Sequence, residues 1–342
     1  MKQYEQPSAE PSLAMINYHA CENGRLLAMP VSEGSPVVTP DRHAVWIDLE
    51  HPTLDEIRQI ERALGINIPS ADDMKEIEVS SRLFHENGTH FMTASIVYKI
   101  DTEDPLNGEI TFILLPKVLI TVRFSAPRAI ALFQHQAKTG DIPCEGPAAI
   151  ATGIVEAIVE READLIERLH HETEALSKRI FENEDRMKLR AKEHAETLRE
   201  IGKASVIASR TRESLVSISR MLGYFHDVVK ENGSEGRTRH RIRSVMQDAR
   251  SLATHVDYVS GRLMFLMDAT IGLVGIEQNQ IIKLFSVVAV MLMPPTLIAS
   301  IYGMNFRHMP ELEVVWAYPA AIIAMVVSAV VPFVYFKHKG WL

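Results

Sequence analysis

Two stretches near the C-terminus constrain this 342-residue chain more than any other feature. From Leu284 to Phe306, and again from Val314 to Phe336, there is no Asp, Glu, Lys or Arg. Each is 23 residues long, and about 20 apolar residues in a helix cross a hydrocarbon core of roughly 30 Å. Buried helices of a soluble core are rarely this long and this free of charge. The chain therefore reads as a membrane hairpin of two helices that returns to the side it left. Lys283 before the first run and Lys337 and Lys339 after the second fit a positive inner side, although Arg307 in the link weakens the contrast. The start, Met1-Lys2-Gln3-Tyr4-Glu5-Gln6-Pro7, lacks an apolar signal core, which places the large first part in the cytosol.

Upstream of the hairpin the chain changes texture twice. Residues 1–14, rich in Pro, Glu and Ser, read as a disordered lead. Residues 15–146 alternate strand-like and helix-like segments, an α/β domain large enough for its own core. Strands are expected at Met15 to His19, Arg25 to Met29, Ala44 to Leu49, His90 to Ile100, Glu109 to Leu115 and Val118 to Phe124, the last two joined by a tight turn at Pro116-Lys117. Thr53 and Glu56 form a capping box that opens a helix, Gly65 closes it, and Pro127 starts another. Met1 to Ile150 holds 21 acids against 12 bases within a net charge of −8. That balance disfavours nucleic acid as a partner and suits divalent cations.

Residues 147–235 are an acidic long-helix region. Ile154, Leu165, Leu176, Met187 and Leu198 recur every eleven residues, with Ile158, Leu169, Ile180 and Ala191 four positions later. An eleven-residue period gives a nearly straight apolar stripe rather than a heptad coil. Glu160, Glu167, Glu174 and Glu182, among Arg168, Lys178 and Arg186, read as its solvated face. Breaks are expected at Gly223 and at Asn232-Gly233-Ser234-Glu235-Gly236. The basic cluster Arg237, Arg239, Arg241 and Arg243 that follows suits the acidic helices, lipid headgroups or, equally, a solvated helix start. Residues 236–280 then continue as the cytosolic part of a long helix that enters the membrane as the first span, 281–303. An outer loop over 304–316, a second span over 317–336 and a basic cytosolic tail over 337–342 complete the layout.

No catalytic apparatus is legible, and the chain reads as something other than an enzyme. Gly202-Lys203-Ala204-Ser205 lacks the upstream Gly of a phosphate loop, and there is no Gly-x-Ser-x-Gly elbow. The two cysteines, Cys21 and Cys144, are far apart and imply neither a disulfide framework nor a zinc cluster. No organic cofactor is implied.

The end of the first span carries the chemistry. Gly303 is expected to let the chain leave the helix through its permissive backbone, and Asn305 offers an uncharged carboxamide oxygen to a cation. The run Tyr302-Gly303-Met304-Asn305-Phe306, then Met309-Pro310-Glu311-Leu312, Tyr318-Pro319 and the ending Tyr335-Phe336-Lys337-His338-Lys339-Gly340-Trp341-Leu342 resembles the CorA family of divalent-metal channels. Val45-Trp46-Ile47-Asp48-Leu49 shares the likeness, which spans most of the chain.

The resemblance implies a funnel-like homopentamer in a bacterial inner membrane, both termini cytoplasmic, passing Mg2+ and Co2+ inward. It implies a selectivity filter at Gly303, Met304 and Asn305. The pore would be lined by Asn279, Ile282, Phe285, Ala289, Met293, Thr296 and Ser300, which recur at three- and four-residue steps. Cytosolic Mg2+ would close it at acids for which Asp72, Asp73 and Asp268 are the matching positions. Where the family loop usually carries Glu, this chain has Arg307 and His308, leaving Glu311 and Glu313 to draw cations to the mouth. A zinc transporter of ZntB type shares the architecture, and a helical sensor or scaffold that passes nothing is the reading from another class.

Overall fold

The computed structural model describes residues 15–29, 44–140, 144–181, 191–231, 236–305 and 309–341. The expected lead and Glu182, Arg186, Met187, Arg307 and His308 fall outside these ranges. The chain divides into two compact units, Met1–Glu184 with Arg199–Leu266, and Asp185–Leu198 with Met267–Leu342.

The first unit is built on a seven-stranded sheet. Its strands are β1 (Met15–Glu22), β2 (Arg25–Met29), β3 (Ala44–Glu50), β4 (Leu83–Glu86), β5 (Thr89–Tyr98), β6 (Leu106–Leu114) and β7 (Leu119–Arg123), in the order β2-β1-β3-β7-β6-β5-β4. Only β3 and β7 pair in parallel. Two hairpins turn on Asn-Gly, with both residues at positive φ: Asn23 at 52° and Gly24 at 77°, Asn87 at 49° and Gly88 at 79°. This is the geometry whose twist matches paired strands. Leu115 N–H donates to the Val118 carbonyl at 3.0 Å, closing the third hairpin where Pro116-Lys117 placed it.

Strand alternation sends side chains to opposite sheet faces. Trp46, Met92, Phe112 and Leu119 join a core with helices α3 (Arg128–Thr139), α4 (Pro147–Phe181), α5 (Ala191–Glu231) and α6 (Gly236–Tyr302). Ile47, Leu49, Phe91, Ile113, Ile120 and Val122 face the other way, onto Ile60 of α1 (Leu54–Leu64) and Met74. The α1 caps are as the sequence predicts: Thr53 and Glu56 form the full capping box, and Gly65 at φ 69° donates back to the Glu61 carbonyl. A single turn, α2 (Val79–Arg82), leads into β4. Helix α3 lies close on α4 because Gly153 has no side chain; a Cβ there would come within 2.4 Å of the Phe133 ring.

The eleven-residue stripe is core over Ile154, Ile158, Leu165, Leu169 and Leu176, which are all buried, and only half-buried at Ile180 and Leu198; on the other face Glu160 and Glu167 are exposed and Glu174 half-buried. One expectation is corrected. Helix α5 runs through Gly223 without a break, because one interior glycine costs only about 1 kcal/mol and the flanking Leu222, Phe225, Val228 and Val229 are buried. In the basic cluster Arg237 pairs with Glu145 at 3.0 Å and Arg241 grips Glu156 of α4, as the acidic-helix alternative expects, while Arg239 and Arg243 are exposed, as the solvated alternative expects.

In the second unit α6 continues to Tyr302. A 3-10 turn at Pro310–Glu313 leads to α7 (Ala317–His338). His194 on α5 meets Glu277 on α6 at 3.2 Å.

Candidate ion pathway

The charge-free runs are helical over Leu284–Tyr302 in α6 and Ala317–Phe336 in α7, and α6 and α7 are the two helices long and apolar enough to cross a membrane among the described residues. Large apolar side chains stand exposed along them, including Ile282, Leu284, Phe285, Leu292, Met293, Leu297, Ile323 and Val331. A soluble fold would bury such residues, whereas a bilayer or a neighbouring subunit accepts them.

Exposure is not uniform around α6. At about 100° per residue, Val287, Met291, Pro294 and Ile298 share one face, and these are buried or half-buried. Ile282, Phe285, Ala289, Met293, Thr296 and Ser300 lie on the opposite side, Asn279 lies about a quarter turn from the covered face, and all seven are exposed. From Val287 onward the helix thus has a covered back and an open front, while residues 278–286 are exposed all round. Thr296 Oγ1 donates its hydrogen to the Leu292 carbonyl at 2.7 Å. Its oxygen lone pairs remain as acceptors. Pro294 and Pro295 carry no N–H, so the carbonyls four residues back, Val290 and Met291, lose their helical donors.

Helix α6 ends one residue before the signature. Gly303 N–H donates to the Ala299 carbonyl at 3.0 Å and Met304 N–H to the Ile301 carbonyl at 3.2 Å, which tightens the last turn. Gly303 has no positive φ, so conformational licence is not what this position uses. A Cβ there would stand 3.2 Å from the Ala299 carbonyl oxygen, and close approach is the constraint. Met304 and Asn305 follow, both exposed. Glu313 is exposed at the end of the 3-10 turn, which also contains Glu311.

Aromatic residues mark both ends of the spans. Tyr302, Trp316 and Tyr318 are exposed around the link. At the other end Tyr335, Phe336 and Trp341 touch in series, and Lys283 Nζ lies 5.9 Å from the Trp341 ring centroid. Amphipathic rings favour the headgroup level of a bilayer, and two such belts frame the charge-free segments.

The acids matched to the regulatory positions are separated between units. Asp72 and Asp73 belong to the first, and Asp268, exposed on α6, to the second. Asp72 pairs with Lys75 at 3.4 Å. Asp73 accepts from the Ser70 hydroxyl and N–H at 2.7 and 2.9 Å, bonds that hold its carboxyl below the usual range. Among the described residues no three His, Cys, Asp or Glu gather in a way that could hold a metal.

Two buried charge sites escaped the sequence reading. Asp48, fully buried, takes Arg123 in a two-armed bond at 3.1 and 2.8 Å and the Thr121 hydroxyl at 2.7 Å; Trp46 Nε1 donates to that hydroxyl at 2.9 Å, and Glu50 holds Arg123 at 2.7 Å. The Trp46 and Asp48 of the resemblance are thus the fastening of the β3–β7 joint. Glu162, on the apolar stripe of α4, is fully buried. Its Oε1 contacts Val97 N–H at 3.2 Å and the Ser214 hydroxyl, and its Oε2 has no partner. Burial, opposed by those two bonds, raises its pKa to about 8. The hydrogen count agrees with a protonated acid. Ser214 has one hydrogen, and Ser95 O stands 3.0 Å from the same oxygen to receive it. A charge between two apolar positions four and three residues away was the available signal.

Comparison with known proteins bears on the whole length. The family model described as CorA-like Mg2+ transporter protein matches residues 41–338. The magnesium transport protein CorA of Escherichia coli strain K12 is 33% identical over 330 residues, covering 96% of this chain and 100% of the relative. The complete CorA magnesium transporter structure from Methanocaldococcus jannaschii superposes with a TM-score of 0.70 at 18% identity, over 96% of this chain and 99% of that one. The ZntB cytoplasmic domain from Vibrio parahaemolyticus shares the fold less closely, at a TM-score of 0.50 and 10% identity over 75% of this chain and 96% of that one. With its sheet-based unit, long helices and two apolar C-terminal helices, the chain belongs to the CorA family.

Proposed function

We propose that five copies of this chain form a channel for Mg2+, with Co2+ as a second cargo, in an inner membrane with both termini in the cytosol. The observation that carries this reading is the uncharged exposed front of α6, ending in Gly303-Met304-Asn305. One chain's two spans cannot enclose a water path, so that front needs symmetry-related copies. Family membership makes the chain a transporter rather than an enzyme.

Magnesium sheds water reluctantly, so a ring of Asn305 carboxamides suits a hydrated ion, with Gly303 and Met304 shaping the ring. Asn279, Thr296 and Ser300 add oxygens along α6. Ile282, Phe285 and Met293 form apolar constrictions that can close by dewetting, and Ala289 lines the pore between them. Glu311 and Glu313 attract cations to the mouth. Entry is driven by an inside-negative potential, which supplies about 4.6 kcal/mol per 100 mV to a divalent ion, twice the value for one charge.

Closure follows when cytosolic Mg2+ bridges acids of neighbouring subunits. Asp268 from one copy and Asp72 or Asp73 from the next are the members, since like charges repel until a cation joins them. The layout takes 15–146 and 147–235 as cytosolic, 236–280 as the inner part of the pore helix, and 281–303 and 317–336 as the spans. The 33% identity with a magnesium transport protein favours magnesium over zinc.

Flux into proteoliposomes with an imposed inside-negative potential tests the proposal. Mg2+ enters, faster as the potential grows. Entry of Zn2+ alone would move the chain to the zinc reading, and no flux of either ion would leave a scaffold. Asp268→Ala stays open at internal Mg2+ that shuts the parent; unchanged closure removes Asp268 from the sensor.

A further inference from the structure

Cys21 and Cys144 are the chain's only cysteines, 123 positions apart, and the fold brings them side by side. Cys21 stands on β1, two residues before the Asn23-Gly24 turn, with its Sγ 2.6 Å from the Cys144 carbonyl oxygen. Cys144 N–H in turn donates to the Gly24 carbonyl at 3.1 Å. The hairpin and the segment leading into α4 are thus held together at this one place by two separate contacts. The exposures differ: Cys144 is buried, while Cys21 is only partly covered. Burial first, and then the neighbouring Cys21 thiol, push the Cys144 thiol far above the ordinary range.

We propose that Cys21 and Cys144 are an oxidative modification site, at which a hydroperoxide closes an intrachain disulfide that staples the β1–β2 hairpin to the segment before α4. Cys21 is the sulfur a reagent can reach. Its thiolate attacks one peroxide oxygen and the O–O bond breaks. The departing oxygen leaves as water with the proton Cys21 gave up, and Cys21 becomes a sulfenic acid. Cys144 then attacks the Cys21 sulfur, the S–O bond breaks, and the hydroxide leaves with the Cys144 proton as a second water. Two thiols lose two electrons and two protons, and one hydrogen peroxide becomes two waters. Cys144, shielded and hard to ionise, is suited only to the second step, because the thiolate is the attacking form and here its target is delivered by the fold. The simpler role of both residues is as small apolar side chains against the core; that role predicts no bond between them.

The full-length protein is treated with hydrogen peroxide, denatured in acid, labelled with N-ethylmaleimide and weighed intact. Both labels are lost together, a peptide joining Cys21 to Cys144 appears in the digest, and dithiothreitol restores both thiols. Cys144→Ser gains a dimedone adduct at Cys21, and Cys21→Ser keeps its label at Cys144. The proposal is overturned if both labels survive, if Cys21 gains oxygen while Cys144 remains labelled, or if the bond joins two chains.

Discussion

The β3–β7 joint and the front of α6 put polar groups to opposite uses. At the joint, Asp48, Glu50 and Arg123 are full charges, deeply covered, with Thr121 and the Ser125 carbonyl completing their bonds. On α6 between Leu284 and Phe306 every polar side chain is neutral, and Thr296, Ser300 and Asn305 are exposed. Buried charge that is fully bonded organises a fold and is unfit to exchange ligands. Neutral oxygens on an apolar helix stabilise that helix little, and they leave acceptors free for an ion and its water.

Removing a charge from the joint is expected to give the largest stability effect. Asp48→Ala leaves Arg123 buried without its main partner, and breaking such a pair costs about 3–5 kcal/mol. Urea unfolding of the protein, followed by tryptophan fluorescence through Trp46, measures it. The exposed pair supplies the contrast: Asp72→Ala loses a surface contact to Lys75 and shifts stability by less than about 1 kcal/mol. Equal effects would mean that burial does not separate the two classes of charge.

Glu162 sharpens the comparison because it is buried without a cation among the described residues. Its folded pKa, about 8, lies above the ordinary 4.5. The folded state therefore holds a proton that the unfolded state releases between those values. Stability from this group is complete below about pH 4.5 and is lost as pH rises through 8. Glu162→Gln removes the titration and keeps the shape. The parent should lose a few kcal/mol more than this variant between pH 5 and pH 9. Parallel pH profiles would show that Glu162 is charged in the fold.

What the sequence disclosed follows the range of each interaction. The α1 caps and the spans are set by residues within a few positions, and they were legible. That Ile282, Phe285, Ala289, Met293, Thr296 and Ser300 share one side of α6 was legible too, since helical period alone places them together. Strand β4 was missed although Asn87-Gly88 announces its hairpin, because four residues carry little alternation. Gly223 misled because packing of its neighbours outweighs local propensity. The Asp48–Arg123 pair and the two cysteines join positions 75 and 123 apart, and no local pattern encodes which partner the fold selects. Gly303, Met304 and Asn305 were singled out as a filter through the CorA resemblance, since a Gly and an Asn after a helix are otherwise ordinary. Asp72, Asp73 and Asp268 came from that resemblance as well, and among the described residues no three His, Cys, Asp or Glu gather in a way that could hold a metal.

The most direct measurement is Mg2+ uptake by Asn305→Ala in proteoliposomes at fixed potential, with protein amount and helix content matched to the parent. Asn305 is exposed and has no hydrogen bond to α6 among the described residues, so the variant should fold normally and lose most of the uptake. Parental uptake in Asn305→Ala would contradict the account, because the neutral oxygen at the end of the open front would then have no part in passing the ion.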